Sequence, residues 1–364
     1  MIQALSQSDI QDANQAEPEA AYELLARRLS DLLLTGLGSI APHELALAET
    51  ALVDLLPFLS NELKVRLAER LIPLEIAPDA LLAALLAEPL SVSGALVSEG
   101  LCLTNCDLVH FAEVGGLEHR LRVAQRRGLS RVVCDALTVR GEIEVLRALV
   151  GNVSASLSDR AVEMVARRSS AEPDLIMMLL NRRELTPWFA HLMFWWADGE
   201  ERSAILKRFP IDRRAVVEAL DDLFDLESLV ETEAVALHAT YRLLRPARRL
   251  EEEALQALIA GVDVRSTQSA VSALAAAADI SPKTASWVIS DEGGEPLAVL
   301  GKALGLSRED FRDVAARLSA ARLSGAYTEN EMERAVALFD SVTMDRADSI
   351  LHFWDRIVCA ETRT

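Results

Sequence analysis

Apolar side chains recur along most of this chain at intervals of three and four residues, the spacing that places them on one face of an α-helix. Within residues 103–212, a bulky aliphatic residue followed by a helix-capping residue returns every 26 or 28 residues. The five dipeptides are Leu103-Thr104, Leu129-Ser130, Leu157-Ser158, Leu185-Thr186 and Ile211-Asp212. Because an apolar-periodic stretch follows each dipeptide, this spacing predicts helix pairs that stack as structural repeats.

The pattern extends beyond that segment in both directions. Ala77-Pro78 precedes the first dipeptide by a similar interval, and Ile280-Ser281 and Leu306-Ser307 resume the spacing further along the chain. A long amphipathic helix is predicted over 226–245, and Thr328 and Glu331 have the spacing of a capping box. A final helix is predicted over roughly 346–358. Its apolar residues, either core or available to a partner, are Ile350, Leu351, Trp354 and Ile357.

These patterns predict an all-α protein, specifically a HEAT-like α-solenoid in which helix pairs form a right-handed superhelix. Residues 1–60 are predicted to be an acidic N-terminal helical cap, and residues 61–222 the repeat array. Residues 223–364 are predicted to be a C-terminal helical region that is partly repeat-like. Runs of alternating β-branched residues, which would indicate strands, are nearly absent.

Composition supports helices and restricts the partners. Ala and Leu are abundant and aromatic residues make up only 5% of the chain, a composition that favours helix formation. The formal net charge is −19, which disfavours binding to nucleic acid or to an anionic membrane through the bulk of the surface. We therefore expect a protein partner, no membrane association, and nucleic acid only as an unfavoured alternative.

The cysteines and the apolar segments point to a cytoplasmic protein. The four cysteines have the spacing of neither a disulfide framework nor a paired metal site. The first 20 residues are polar and acidic, unlike a signal peptide. The most apolar stretch, 175–196, contains Arg182, Arg183 and Glu184 and so is not expected to span a bilayer as one helix.

Two parts of the sequence resemble a known family. The units around Gly128-Leu129-Ser130 and Leu157-Ser158, together with the run from Gly293 to Ser307, resemble an uncharacterised alphaproteobacterial family. Its members are described as a domain of unknown function made of HEAT-like helical repeats. The resemblance covers about residues 60–325 and implies a repeat fold in the bacterial cytoplasm. It implies no catalytic residue.

Pairs of basic residues recur before three of the capping residues: Arg126-Arg127, Arg182-Arg183 and Lys207-Arg208. The first two pairs lie four and three residues before the cap, and the third is one residue out of register. Since equivalent positions stack in a solenoid, we predict that Arg126, Arg127, Arg182, Arg183 and Arg208 form a cationic ridge for an acidic or phosphorylated partner. Alternatively, they only complement the dipoles of helix C-termini.

Aromatic residues are concentrated in one repeat, as Trp188, Phe189, Phe194, Trp195 and Trp196. Beside arginines, such residues are typical of interface hot spots, so Trp188 and Trp195 are predicted to bind the partner. The helical spacing of Phe189 and Leu192 equally indicates core or inter-repeat packing. Both interpretations stay open at the level of sequence.

No catalytic or cofactor motif is found. The six histidines lack nearby ligands at metal-binding spacing, and the chain has no phosphate-binding glycine loop or nucleophile elbow. A helix-turn-helix over 297–318 would place the net negative segment 308–313 against DNA. The DNA phosphates would repel that segment, so DNA binding by this element is disfavoured. We therefore expect neither a cofactor nor a bound metal.

The sequence predicts a non-enzymatic scaffold or adaptor that binds a protein through its repeat surface. One alternative is a helical-repeat protein that binds nucleic acid or repairs bases. Another is a regulatory module that senses a small ligand or a phosphorylated partner. A homodimer through the C-terminal helices is also possible at this stage.

Overall fold

The computed structural model describes residues 18–35, 41–213, 247, 250–261, 267–320 and 327–361. These residues form twenty α-helices and one short 3-10 turn, and none of them lies in a strand. The all-α prediction is therefore confirmed for the described chain. The helix predicted over 226–245 falls outside the described residues. The chain divides into two compact units, Met1–Val165 and Ala166–Thr364.

The first unit contains nine complete helices. They are α1 (Pro18–Thr35), α2 (Pro42–Leu55), α3 (Asn61–Leu71), α4 (Asp79–Leu86), α5 (Leu90–Glu99), α6 (Asn105–Val114), α7 (Leu117–Ala124), α8 (Arg131–Arg140) and α9 (Ile143–Gly151). Helix α10 (Asp159–Arg168) contains the division between the units.

Helices of the first unit pack mainly against their second neighbours. Helices α3, α5, α7 and α9 form one series in which each contacts the next, and α2 with α4 and α6 with α8 pack in the same way. Adjacent helices such as α4 and α5, or α6 and α7, also contact each other. Leu67, Leu85 and Leu96 are buried in this arrangement because the apolar face of each helix is turned toward its neighbours.

Three of the predicted capping residues, Thr104, Ser130 and Ser158, each precede one of these helices. Thr104 forms a complete capping box with Asp107 at the start of α6, and the Ser158 hydroxyl accepts from the Ala161 amide at the start of α10. Ser130 occupies the capping position of α8, but its hydroxyl donates to Asn105 Oδ1 at 3.0 Å. The local prediction of helix starts is therefore correct, while the chemistry of individual caps varies.

The second unit contains ten further helices. They are α11 (Asp174–Leu180), α12 (Pro187–Met193), α13 (Gly199–Arg208), α14 (Glu252–Gly261), α15 (Thr267–Ala278), α16 (Pro282–Ser290), α17 (Glu295–Ala303), α18 (Arg308–Ala320), α19 (Glu329–Ser341) and α20 (Met344–Ala360).

Helix α20 is central to the second unit and packs against α12, α16 and α17. The apolar residues predicted for this helix are all buried: Ile350, Leu351, Trp354 and Ile357. Of the two roles left open for them, the structure shows the core. The hypothesis of a homodimer through this apolar face therefore loses the surface on which it depended.

Two buried arginines connect distant parts of the second unit. Arg202 of α13 binds both oxygens of Asp291 at 2.5 and 2.9 Å, and Glu295 at 2.8 Å. Burial would lower the pKa of Arg202, but the hydrogen bonds and charges of these two carboxylates outweigh it and raise that pKa. Arg213 similarly binds Asp348 at 2.7 Å. Each of these two buried arginines therefore has a carboxylate partner, as a low-dielectric interior requires.

None of the described helices is both long and apolar enough to cross a membrane. Among the described residues, no group of three or more His, Cys, Asp or Glu side chains is placed to hold a metal ion. The sequence-predicted boundaries at 60 and 222 describe the extent of the repeats, and they stay a prediction.

Candidate interaction surface

Four successive turns of the first unit lie at the C-terminal ends of the stacked helices α3, α5, α7 and α9. They are residues 72–78, 100–104, 125–130 and 152–158, and we refer to them together as the turn edge. Since the four helices pack in series, their terminal turns follow one another along the same side of the unit. The first predicted arginine pair, Arg126-Arg127, lies in the third of these turns.

Hydrogen bonds join each turn of the turn edge to the next. The Leu101 amide donates to Ile72 O at 2.9 Å, linking the first two turns. The Arg126 guanidinium donates to Val97 O at 2.7 Å and Gly100 O at 2.8 Å, linking the second and third.

The third and fourth turns are joined by at least four hydrogen bonds, one of which the Gly128 amide donates to Ser154 Oγ at 3.1 Å. Asn152 Nδ2 donates to Ala124 O at 2.9 Å and to Arg126 O at 2.5 Å. The Ser156 amide donates to Leu129 O at 3.0 Å. The last carbonyls of an α-helix have no partner within the helix, so side chains that reach them from the next turn satisfy groups that would otherwise need water. Arg126 and Asn152 therefore hold the turn edge together.

The outer side of the turn edge carries exposed apolar side chains. Ile76 is 81% exposed, Leu101 62% and Val153 82%, and each lies in a different turn. Arg127, also exposed, occupies the turn between Leu101 and Val153. Because adjacent turns are hydrogen-bonded, we infer that these four exposed side chains, three apolar and one cationic, follow one another along the turn edge. A single exposed aliphatic residue is ordinary, whereas an aligned row is typical of a protein-binding surface.

The structure separates the two members of each predicted arginine pair. Arg126 is half-buried and bound to carbonyls, and burial lowers the pKa of its guanidinium below the usual value. Arg127, its neighbour, is exposed. In the second unit Arg182 is only 3% exposed and donates to Glu184 at 2.8 Å, while Arg183 is exposed. The first member of each pair is thus used within the protein.

Arg208 repeats the role of Arg126 in the second unit. Its Nη2 donates to the carbonyl of Arg182 at 2.8 Å, across the same interval of 26 residues that separates Arg126 from Gly100. This bond explains the out-of-register pair, because Arg208 is the member that reaches back to the preceding turn. Lys207 and Arg208 are both exposed. Among the predicted arginines, the exposed ones are therefore Arg127 in the first unit, and Arg183 and Arg208 in the second.

The two predicted tryptophans lie in an aromatic cluster of the second unit, formed by Trp188, His191, Phe194, Trp195, Trp287, Phe353 and Trp354. Trp188 packs edge-on against Phe353 with ring centroids 5.9 Å apart. Trp195 lies 5.2 Å from both Trp287 and Trp354. Both tryptophans are half-buried, so their packing inside the unit is established, and partner binding by them stays a prediction.

His191 shows how this cluster fixes a histidine in one state. Trp354 Nε1 donates to His191 Nδ1 at 3.0 Å, so the ring proton lies on Nε2, which donates to Phe209 O at 2.9 Å. Burial lowers the pKa of His191 to about 4. A neutral, fully enclosed imidazole with both nitrogens occupied is a structural group and has no access to a substrate.

Sequence reasoning did not identify Ile76, Leu101 and Val153. The available indication was their spacing of 25 and 52 residues, which places them at equivalent points of different turns. These apolar residues lie close in sequence to the aliphatic residues that precede the capping positions, so a sequence pattern assigns them to the core. Only the structure shows that their side chains are exposed.

Comparison with known proteins places most of the chain in one family. No curated protein and no solved structure matches the chain significantly. The model of one family, described as an uncharacterised protein conserved in bacteria (DUF2336), matches residues 92–352. This segment includes Leu101, Arg127 and Val153 of the turn edge and nearly all of the second unit. The chain therefore belongs to the DUF2336 family of bacterial proteins.

Proposed function

We propose that this protein is a non-enzymatic interaction scaffold, and that the turn edge binds a protein partner. The observation that supports this most is the exposure of Ile76, Leu101, Arg127 and Val153 on successive hydrogen-bonded turns. In this proposal the stacked helices are HEAT-like repeats of a right-handed α-solenoid. The rigid ladder of turns fixes the spacing between the exposed side chains before a partner arrives, which lowers the entropic cost of binding.

The chemistry of these side chains indicates the kind of segment that they bind. Three aliphatic side chains favour a partner segment with apolar residues, which would leave water on binding. Arg127 favours an acidic or phosphorylated group between two of those residues, since a guanidinium binds carboxylate and phosphate oxygens in pairs. In a chain with a net charge of −19, this cation gives an acidic partner one local point of attraction.

A bacterial cytoplasmic location belongs to the same proposal. Cys102, Cys106, Cys134 and Cys359 lie outside any disulfide, and exposed Cys106 in particular is compatible with a reducing compartment.

Affinity purification with two matched triple variants tests the proposal. The turn-edge variant is Ile76→Gln, Leu101→Gln and Val153→Thr. The control variant changes three similarly exposed aliphatic residues elsewhere in the first unit, Leu47→Gln, Val132→Thr and Val139→Thr.

We expect proteins that co-purify with tagged wild-type chain from its native cells to be retained by the control variant and lost from the turn-edge variant. Mass spectrometry with isotope labelling measures the ratio for each captured protein. Equal retention by both variants would contradict a binding role of the turn edge.

A further inference from the structure

The second unit contains a cavity of about 430 Å³ whose charge is opposite to that of the chain. Helices α13, α19 and α20 and the start of α17 line it. Four lining residues are cationic, Arg202, Lys207, Arg334 and Arg346, while Glu295 is acidic. The remaining wall is largely apolar and includes Leu206, Leu338 and Val342. In a chain with a net charge of −19, such a cavity is a local exception.

Three of these cations keep positive charge available to the cavity. Arg202 is already neutralised by Asp291 and Glu295. Glu295 also approaches Arg334 Nε at 3.6 Å, so that one carboxylate is shared between two guanidiniums, and the Arg334 side chain is 43% exposed. Lys207 is exposed at the rim. Positive charge therefore exceeds negative charge among the lining groups.

Arg346 adds a donor whose hydrogen-bonding capacity is incompletely used. Its Nη2 donates to Leu206 O at 2.8 Å, which fixes the side chain against α13. Its Nε is buried and has no hydrogen-bond acceptor in the part of the chain that the structure describes. A buried donor without an acceptor is unfavourable.

Gly199 leaves room for the guanidinium of Arg334. A Cβ atom at Gly199, the first residue of α13, would lie 3.0 Å from the guanidinium carbon of Arg334. Any larger residue would push Arg334 away from the mouth of the cavity. The close approach places the Arg334 guanidinium beside the first turn of α13, at the boundary of the lining.

We propose that this cavity binds a small organic anion. Its anionic group would lie among Lys207, Arg334 and Arg346, and its apolar portion would pack on Leu206, Leu338 and Val342. The volume is within the usual range for small-molecule sites, which combine an apolar wall with a few oriented polar groups. This proposal does not rest on the turn edge, which lies in the other unit.

A pair of fluorescent dyes with the same aromatic body tests the proposal. Anilinonaphthalene sulfonate carries a negative charge, whereas phenylnaphthylamine is neutral. The cavity variant is Lys207→Met with Arg334→Met, which keeps apolar bulk and removes two charges. The control variant is Arg312→Met with Arg356→Met, which removes two exposed cations that do not line the cavity.

We expect the cavity variant to bind the sulfonate dye at least about tenfold more weakly than wild type, because charged hydrogen bonds to the anion are lost. Binding of the neutral dye should change less than about twofold, and the control variant should bind both dyes as wild type does. The charge-preserving variant Lys207→Arg with Arg334→Lys should retain the sulfonate dye. Unchanged sulfonate binding in the cavity variant, or an equal loss of both dyes, would overturn the proposal.

Two further arms make the result specific to the cavity. Ala337→Trp fills its exposed wall without altering charge, and we expect it to abolish binding of the sulfonate dye. Displacement of the dye by phenyl phosphate or by benzoate then shows which anionic group the site prefers. Full sulfonate binding by the Ala337→Trp variant would place the dye elsewhere and contradict the proposal.

Discussion

At the scale of single residues, this protein uses polar side chains mainly to satisfy groups that its packing encloses. His191 has both ring nitrogens occupied by Trp354 and the Phe209 carbonyl. Arg202 has three oxygens of two carboxylates around it. These contacts orient the aromatic cluster and the start of α17, so they stabilise one arrangement of the second unit.

Enclosing His191 makes the stability of the protein depend on pH. Its pKa is about 4 in the folded chain against 6.5 for an ordinary histidine, so the unfolded chain binds the extra proton between those values. The neutral ring's contribution is therefore present above pH 6.5 and is lost as the pH falls toward 4. The loss is on the order of 3 kcal/mol over that range.

Denaturant unfolding at several pH values measures this contribution. Between pH 6.5 and 4 the wild-type free energy of unfolding should fall more steeply than that of His191→Gln, whose amide does not titrate. The difference between the two slopes isolates His191 from the carboxylates that titrate in the same range. Parallel curves would show that His191 is not held neutral.

At the scale of elements, the bonds between successive turns of the first unit are made by specific side chains. Arg126 and Asn152 each donate to two carbonyl groups of the preceding turn. Adjacent helix ends are thereby joined without a water layer. These bonds explain why Arg126 and Asn152 occupy these helix ends. Compensation of the helix dipole alone would accept any basic residue at such a position.

Neighbouring arginines offer a direct test of that explanation. Arg126→Met should destabilise the protein by about 1.5–3 kcal/mol, because two carbonyl groups lose a charged donor. Arg127→Met should change the free energy of unfolding by less than about 0.5 kcal/mol, since Arg127 is exposed. Chemical denaturation of both variants provides the comparison. Equal effects of the two substitutions would mean that helix-dipole compensation is the main role of both residues.

Helix starts were predictable from the sequence because capping is local. Thr104, Ser158 and Thr328 all accept from the expected backbone amide. The orientation of Arg126 and Arg127 was not predictable in the same way. The two residues have the same side chain and lie at nearly the same distance from the next capping residue. Only the stacking of α5 on α7 decides which of them reaches a carbonyl group.

Contacts between distant segments were equally out of reach of the sequence pattern. Arg202 lies 89 residues from Asp291, and no local periodicity pairs them. The burial of Trp354 against residues near 191 depends on the same long-range packing. The cationic cavity follows from these contacts, because it requires α13, α19 and α20 to come together.

At the scale of the whole molecule, the described part of this acidic chain contains two places that support the proposals made above. One is the turn edge of the first unit, and the other is the cationic cavity of the second unit. A net charge of −19 keeps such a protein from binding anions over most of its surface. Under the proposals made above, a protein partner would bind at the first place and a small anion at the second.

Site-specific photo-crosslinking in living cells tests the central claim most directly. A photoreactive amino acid replaces Leu101 in the turn edge or, as a control, Leu47, which is 75% exposed on α2. We predict that illumination joins the Leu101-labelled chain to a defined protein partner, and that the adduct is absent from the Leu47-labelled chain. An adduct of the same mass from both positions, or from Leu47 alone, would contradict binding at the turn edge.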